Sequence, residues 1–146
     1  MNNITNNNNF LIFSHEQDVD GLFSAAVLRM VYPQSEVILT NYGFQNMLAL
    51  KNKILSFTKS RNSGTIIISD IGLNYESYPH VYEALNASKQ RGLSNIWIDH
   101  HVWPEGMKEK FAPICEMFIH SESELGRNGL KKCATELCIE RFAPAS

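Results

Sequence analysis

The sequence predicts a single α/β domain, built in three layers around a mainly parallel sheet of five strands with helices on both faces. Short apolar runs of strand length alternate with longer segments in which apolar residues recur at the helical period, which is typical of β-α-β units. Three of the apolar runs end in aspartate or histidine. A chain of 146 residues also suits one domain that buries roughly two thirds of its unfolded surface.

Each predicted element has its own sequence signal. The first strand, 10–14, is too short and too uniformly apolar for an exposed helix and suits a strand buried on both faces. The helix after it, 22–32, repeats apolar residues at the helical period and stops before Pro33. Three consecutive isoleucines make 65–69 the strongest strand, and Gly92 is placed to end the third helix. The remaining predicted elements are strands at 36–40, 95–98 and 114–119 and helices at 44–59, 77–91 and 130–142.

Composition narrows the classes of function. The formal charge of -2 gives no overall basic field, so a nucleic acid would have to be held by local cations or by bound metal. Three cysteines without a Cys-x-x-Cys spacing disfavour a disulfide scaffold or a zinc ribbon and favour buried free thiols in a reducing compartment. No apolar stretch approaches the ~18 residues that span a membrane. Residues 1–9 are mostly asparagine and indicate a disordered lead-in rather than a signal peptide. We therefore expect a cytoplasmic protein with no membrane partner.

The first strand runs into a turn that contains His15, Asp18, Asp20 and Gly21. Carboxylates two positions apart in a turn can each face a different metal ion, and His15 at the strand end would join Asp18. Gly21 permits a sharp turn into a helix whose N-terminal amides attract phosphate. The alternative is that Asp20 merely caps this helix and that Asp18 is a solvated loop acid.

Two further strands end in similar residues. Asp70 follows the isoleucine strand directly, and Asp99, His100 and His101 follow the fourth strand directly. Adjacent histidines that leave a strand point in different directions, so one can bind metal and the other can donate to a phosphate or carry a proton. Because function gathers at the carboxyl ends of parallel strands, we expect these residues to meet at one sheet edge. The alternatives are an Asx-turn role for Asp70 and a structural histidine pair.

In the type and order of these three motifs the chain resembles the DHH phosphoesterases, which include RecJ-like exonucleases, nano-RNases and family II pyrophosphatases. The resemblance covers residues 10–142, and the His-x-x-Asp-x-Asp-Gly spacing of residues 15–21 lies within the family's variation. It implies an amino-terminal α/β domain with strand order 2-1-3-4-5 and two bound Mn²⁺ or similar ions.

The resemblance also implies a set of metal ligands. His15 and Asp18 would hold one ion, and Asp20 and His100 would hold the other. Asp70 would bridge both ions. Carboxylates and imidazoles without a thiolate favour Mn²⁺, with Mg²⁺, Co²⁺ or Zn²⁺ as competitors.

The implied reaction is hydrolysis of phosphodiester bonds in short oligonucleotides or single-stranded nucleic acid, with a hydroxide activated by the two ions. The implied catalytic residues are His101, which would contact the scissile phosphate, Asp99, which would orient its neighbour, and Asp70. Two alternatives stay open. One is a phosphoanhydride hydrolase such as a pyrophosphatase, and the other is an inactive relative that serves as a binding module or scaffold.

Two parts of such enzymes are not expected in residues 10–146. They are a further aspartate for the second metal ion, from a segment beyond the last predicted helix, and a smaller carboxyl-terminal domain that binds substrate. The sequence therefore predicts a truncated or minimal DHH-type domain. Glu122 and Glu124 are either replacement ligands or solvated loop residues. His120 is a candidate for lining the cleft, and Trp103 either stacks on a base or packs against the sheet rim.

Overall fold

Alternating strands and helices build the protein in a computed structural model that describes residues 9–120 and 132–143. The strands are β1 (Phe10–His15), β2 (Glu36–Thr40), β3 (Thr65–Ser69), β4 (Ser94–Asp99) and β5 (Glu116–Ile119). The helices are α1 (Val19–Val31), α2 (Phe44–Lys59), α3 (Tyr78–Gln90), α4 (Met107–Phe111) and α5 (Ala134–Phe142). All five strands pair in parallel in the order β2-β1-β3-β4-β5, which confirms the predicted α/β class and strand order.

The sheet lies between two apolar layers because successive side chains of a strand point to opposite faces. Leu11 and Ile66 pack on the side covered by α2, α3 and α4, whereas Ile12 and Ile67 pack on the side covered by α1 and α5. All four side chains are fully buried. Strands enclosed on both faces are expected to be continuously apolar, as these are.

The structure differs from the sequence prediction at the start of α1 and by one additional short helix, α4. Helix α1 begins at Val19 because the Asp18 carboxylate accepts a hydrogen bond from the Gly21 backbone N–H at 2.7 Å and caps the helix. The cap is therefore Asp18 and not Asp20. The short helix α4 was not predicted, and it starts after Gly106, which has a positive φ of 82°. Gly92 ends α3 as predicted, with φ 90°.

The strand order creates a crevice at the carboxyl ends of β1 and β3. The connection from β1 crosses the face that carries α1, whereas the connections from β2 and β3 cross the opposite face. Ligand sites of open parallel sheets form at such a switch point. Residues 1–8 of the predicted lead-in, together with Glu122 and Glu124, lie outside the described residues. Within the described ranges, no helix is long and apolar enough to cross a membrane.

Candidate metal centre

The three strand ends singled out in the sequence meet at the crevice between β1 and β3. Candidate ligand atoms of His15, Asp18 and Asp70 lie within 4.8 Å of one another, and we call these residues the first cluster. His100 Nε2 lies 2.9 Å from Asp70 Oδ1 and 3.2 Å from Asp20 Oδ2, and we call Asp20 and His100 the second cluster. Asp70 therefore stands between the clusters, as a bridging ligand would.

Backbone geometry places the Asp70 side chain in this position. Its φ of 54° is in the left-handed region, which aspartate adopts more readily than most residues. Its N–H donates to the Ile98 carbonyl at 2.9 Å, so the residue turns away only after the β3–β4 pairing is complete. The carboxylate is fully buried, and its Oδ2 has no hydrogen-bond partner among the described residues. A buried oxygen without a partner is costly, and a bound cation would remove that cost.

The carboxyl groups of Asp18 and Asp70 in the first cluster lie so close together that ionisation of one disfavours ionisation of the other. Burial raises the pKa of Asp70 to about 6, and the neighbouring charges of Asp18 and Asp20 act in the same direction, although His100 opposes them. Burial acts against the charged form of Asp18 as well. The adjacent Asp70 carboxyl, the hydrogen bond from the Gly21 N–H and the neighbouring His15 nevertheless lower its pKa to about 2. Two carboxylates in contact need a shared proton or a cation between them. This part of the crevice therefore fits a positively charged ligand.

Asp20 in the second cluster already has protein partners. Its Oδ1 accepts hydrogen bonds from the Thr135 backbone N–H at 2.9 Å and from the Thr135 hydroxyl at 2.7 Å. Its Oδ2 accepts one from the Ala134 N–H at 3.0 Å. Burial acts to raise the pKa of Asp20, but these donors and His100 lower it overall. A carboxylate oxygen accepts about two hydrogen bonds, so Oδ2 is the oxygen with capacity for a metal ion.

Asp99, His101 and Trp103 form a third group of polar contacts. The fully buried Asp99 carboxylate holds His101 Nδ1 at 2.6 Å and accepts a hydrogen bond from the Trp103 indole N–H at 2.8 Å. The Trp103 ring packs edge-on against Trp97, with 4.7 Å between the ring centroids, and it is only 6 % exposed. The alternative that Trp103 stacks on a base is therefore wrong, and its packing at the sheet rim is confirmed.

Small residues beneath the clusters bring β1, β3 and α1 close together. The Ser69 hydroxyl donates to Ser14 Oγ at 2.9 Å, and the Ser14 hydroxyl donates to the Gly21 carbonyl at 2.7 Å. A Cβ at Gly21 would lie 2.1 Å from the His15 carbonyl oxygen. Glycine is therefore required at position 21 for α1 to start this close to the end of β1.

Two site residues were missed by the sequence analysis, and both follow β2. Asn41 Oδ1 lies 3.1 Å from His15 Nε2. The Tyr42 ring lies beside the His15 ring, and its hydroxyl accepts a hydrogen bond from the Gly72 N–H at 2.9 Å. Burial raises the pKa of Tyr42, and the nearby carboxylates add to this effect. No acidic or histidine residue follows β2, so the only available signal was its adjacency to β1 in the implied strand order.

His120 connects two elements. Its backbone N–H donates to the Asp99 carbonyl at 2.9 Å, and its ring Nδ1 accepts a hydrogen bond from the Lys132 N–H at 3.0 Å. These contacts join the end of β5 to the approach to α5. The described hydrogen bonds of His120 are therefore structural.

The sequence of residues 9–143 matches the DHH family, N-terminal domain. The chain belongs to the DHH family. The DHH family is divalent-metal-dependent and belongs to a superfamily of metal-dependent phosphoesterases, of which this domain is therefore a member. Its acidic and histidine clusters could bind such a metal.

One solved structure with a similar fold is the crystal structure of an uncharacterized protein from Helicobacter pylori G27, with a TM-score of 0.61 and 17% sequence identity. The alignment covers 90% of this chain and 35% of that protein, so the DHH domain described here spans about a third of its length. At this identity the likeness shows the fold alone. No curated protein matches the sequence.

Proposed function

We propose that this DHH domain hydrolyses phosphodiester bonds of short oligonucleotides or single-stranded nucleic acid with the help of two divalent cations. One observation carries the proposal: carboxylates from two strand ends crowd around Asp70, whose buried Oδ2 has no described partner. Such an arrangement costs free energy in the metal-free protein. A bound cation would remove this cost, which supports a cation site between these carboxylates.

The residues present fit hard or borderline divalent ions. The first cluster offers one imidazole and two carboxylates, and the second offers one of each. The described cysteines lie in neither cluster, which favours Mn²⁺, with Mg²⁺ or Co²⁺ as competitors. When bound, such ions supply an activated water and neutralise the charge that develops on phosphorus.

In the proposed reaction, His101 is the side chain that acts directly on the substrate phosphate and its proton transfer, with Asp99 acting through His101. The His101 side chain is 37 % exposed at the crevice, while Asp99 is fully buried and holds Nδ1. The hydrogen bond to Asp99 fixes the orientation of the ring, so we assign Nε2 to contact the phosphate and to move a proton. Asp18 is also 44 % exposed, which leaves the crevice accessible to an extended substrate.

A second candidate function is a metal-binding or scaffold domain without turnover. The specific observation in its favour is that Asp20 already accepts three hydrogen bonds from residues 134 and 135. A site whose ligand is shared in this way binds its ion more weakly. Pyrophosphate hydrolysis by the same ligand set is the remaining alternative.

Parallel assays with a labelled dinucleotide and with pyrophosphate, each with Mn²⁺, test the proposal. We expect cleavage of the dinucleotide by the wild-type chain and none by Asp70→Asn. Phosphate release from pyrophosphate alone would replace the proposal with the phosphoanhydride alternative. Uptake of Mn²⁺ in calorimetry without turnover of either substrate would favour a metal-binding domain without activity. No uptake would contradict both hydrolase functions and leave only a scaffold that does not use metal.

We also propose a cytoplasmic location. The three cysteines are all free, and Cys115 and Cys138 are buried as predicted, whereas Cys133 is partly exposed at the start of α5. Burial raises the pKa of Cys138 to about 12, so this thiol is unreactive. Fractionation of cells that express the tagged protein tests the location.

A further inference from the structure

Asn41 lies next to His15 because of how β1 and β2 end. The strands pair in register up to His15 and Thr40, and the Glu16 N–H donates to the Thr40 carbonyl at 2.9 Å beyond that pair. Asn41, the residue after Thr40, therefore lies beside the His15 ring. Its side-chain Oδ1 is 3.1 Å from His15 Nε2.

The orientation of the Asn41 amide is fixed by its own neighbour. The Tyr42 backbone N–H donates to the same side-chain atom at 2.8 Å. A backbone N–H can only donate, so this atom must be the amide oxygen and not the amide nitrogen. An oxygen accepts, and the hydrogen of the contact with His15 must therefore belong to His15 Nε2.

The tautomer of His15 follows from this contact. A neutral imidazole that carries its hydrogen on Nε2 has its lone pair on Nδ1. Nδ1 faces the first cluster, where it lies 2.8 Å from Asp18 Oδ2. A lone pair and a carboxylate oxygen at this distance need a proton or a cation between them. Metal-bound histidines commonly donate their other N–H to an oxygen that fixes the ring, and Asn41 supplies that oxygen here.

Tyr42 holds the ring from a second direction. Its ring centroid is 5.2 Å from that of His15, with 55° between the planes. Its hydroxyl is tied to the loop after β3 through the Gly72 N–H. The end of β2 therefore supports His15 both at Nε2 and at its face.

We propose that Asn41 is a positioning residue that makes Nδ1 of His15 the metal-binding nitrogen, by accepting the hydrogen of Nε2. The inference rests on the proposed function, since it concerns a ligand of the proposed first metal ion. It adds a fourth strand end to the site. Nδ1, Asp18 Oδ2 and the unpartnered Asp70 Oδ2 then form the ligand set of that ion.

Two variants of Asn41 separate this role from a purely structural one. Asn41→Leu is close in size but removes the acceptor, and Asn41→Asp keeps a carboxyl oxygen at the same place. Asn52→Leu, at an exposed position of α2, is the matched control. The first measurement is nitrogen-15 NMR of the His15 ring in metal-free protein at about pH 8, where free imidazole is neutral. The second is calorimetric titration with Mn²⁺.

We expect Nε2 of His15 to carry a hydrogen in the wild type and in Asn41→Asp, whether or not a second proton lies between Nδ1 and Asp18 in the metal-free protein. In Asn41→Leu we expect a mixture of Nε2–H and Nδ1–H forms. Mn²⁺ should bind Asn41→Leu about 10–100-fold more weakly than wild type. Asn41→Asp and Asn52→Leu should bind at least as tightly as wild type. The NMR readout on wild-type protein stands even if Asn41→Leu does not fold.

Two results overturn the inference while the proposed function stands. One is an Nδ1–H tautomer in wild-type protein that takes up Mn²⁺, and the other is wild-type affinity in folded Asn41→Leu. Wild-type protein that takes up no Mn²⁺ overturns both the inference and the proposed function.

Discussion

The two clusters of the candidate centre differ in what already holds their oxygen atoms. In the first cluster the Asp70 Oδ2 is buried without a described partner, and the pKa of its carboxyl is raised. In the second cluster Asp20 accepts three hydrogen bonds from the N-terminus of α5, and its pKa is lowered. The two clusters are joined by His100, which contacts Asp20 and Asp70.

The difference shows that only the first cluster lowers the folding stability of the metal-free protein, and that only this cluster gains stability when a cation binds. A carboxylate whose pKa is raised destabilises the folded protein at neutral pH, whereas a well-bonded carboxylate stabilises it. In the first cluster a metal ion would therefore remove an unfavourable free energy. In the second cluster a metal ion would have to share Asp20 with the hydrogen bonds that already stabilise the fold.

Replacement of Asp70 gives the largest expected effect. Asp70→Asn keeps the shape and tolerates the left-handed φ. We expect Mn²⁺ affinity to fall more than about 100-fold, because the bridge between the clusters is lost. We also expect the metal-free protein to become more stable by about 2 kcal/mol near neutral pH, since the raised pKa of Asp70 no longer costs free energy. Calorimetry and urea unfolding with a chelator measure the two effects.

The pH dependence of that stability gives the control. The pKa of Asp70 is about 6 in the folded protein against 3.8 in the unfolded chain, so the folded state binds more protons between these values. Stability of the metal-free wild type should therefore fall as pH rises from about 4 to about 6, relative to Asp70→Asn. Parallel stability curves for the two proteins would show that the first cluster carries no such cost.

Replacement of Asp99 tests whether the contacts among Asp99, His101 and Trp103 support turnover rather than metal affinity. Asp99→Asn weakens the hold on His101 Nδ1, so we expect turnover of a dinucleotide to fall about 10–100-fold. Mn²⁺ affinity should change much less. Trp103→Phe removes the indole donor to Asp99, together with part of the ring that packs on Trp97, and should give a smaller loss of turnover. Equal losses of metal affinity and turnover would mean that Asp99 supports the metal ligands instead.

Stepwise titration with Mn²⁺ compares the clusters directly. The second ion must share Asp20 with α5, and a net hydrogen bond is worth about 1 kcal/mol. We therefore expect two binding steps, the second about fivefold or more weaker than the first. Two steps of equal affinity would contradict the comparison.

Thr135 gives the smallest expected effect and sharpens the assignment of the second step. Thr135→Val removes the hydroxyl that donates to Asp20 Oδ1 at 2.7 Å. We expect the protein to lose about 1 kcal/mol of stability and the second Mn²⁺ step to tighten a few-fold. Thr135→Ser keeps a hydroxyl and serves as the control. A second step that stays unchanged in Thr135→Val would mean that α5 does not limit this ion.

The sheet and most of the site residues followed from the sequence because both depend on local patterns. The run of isoleucines before Asp70 predicts a buried strand, and the carboxyl ends of parallel strands lie at one edge of the sheet. The sequence alone therefore predicts that the residues at the ends of β1, β3 and β4 lie together.

The parts that were missed depend on contacts that no local pattern carries. The bond between Asp20 and Thr135 joins residues 115 positions apart. Asn41 looks like an ordinary turn residue after a strand, and its value arises only from pairing of β2 with β1. The apolar period predicts a start of α1 at residue 22, whereas the helix begins at Val19 because Asp18, a member of the first cluster, also caps it.

The contact between Trp103 and Asp99 also gives the protein an intrinsic optical probe. The chain has two tryptophans, and their buried rings pack edge-on against each other. Since the indole of one is bonded to a carboxylate that also holds His101, its emission should respond to charge changes in the crevice. Ligand arrival could then be followed by fluorescence without any attached dye.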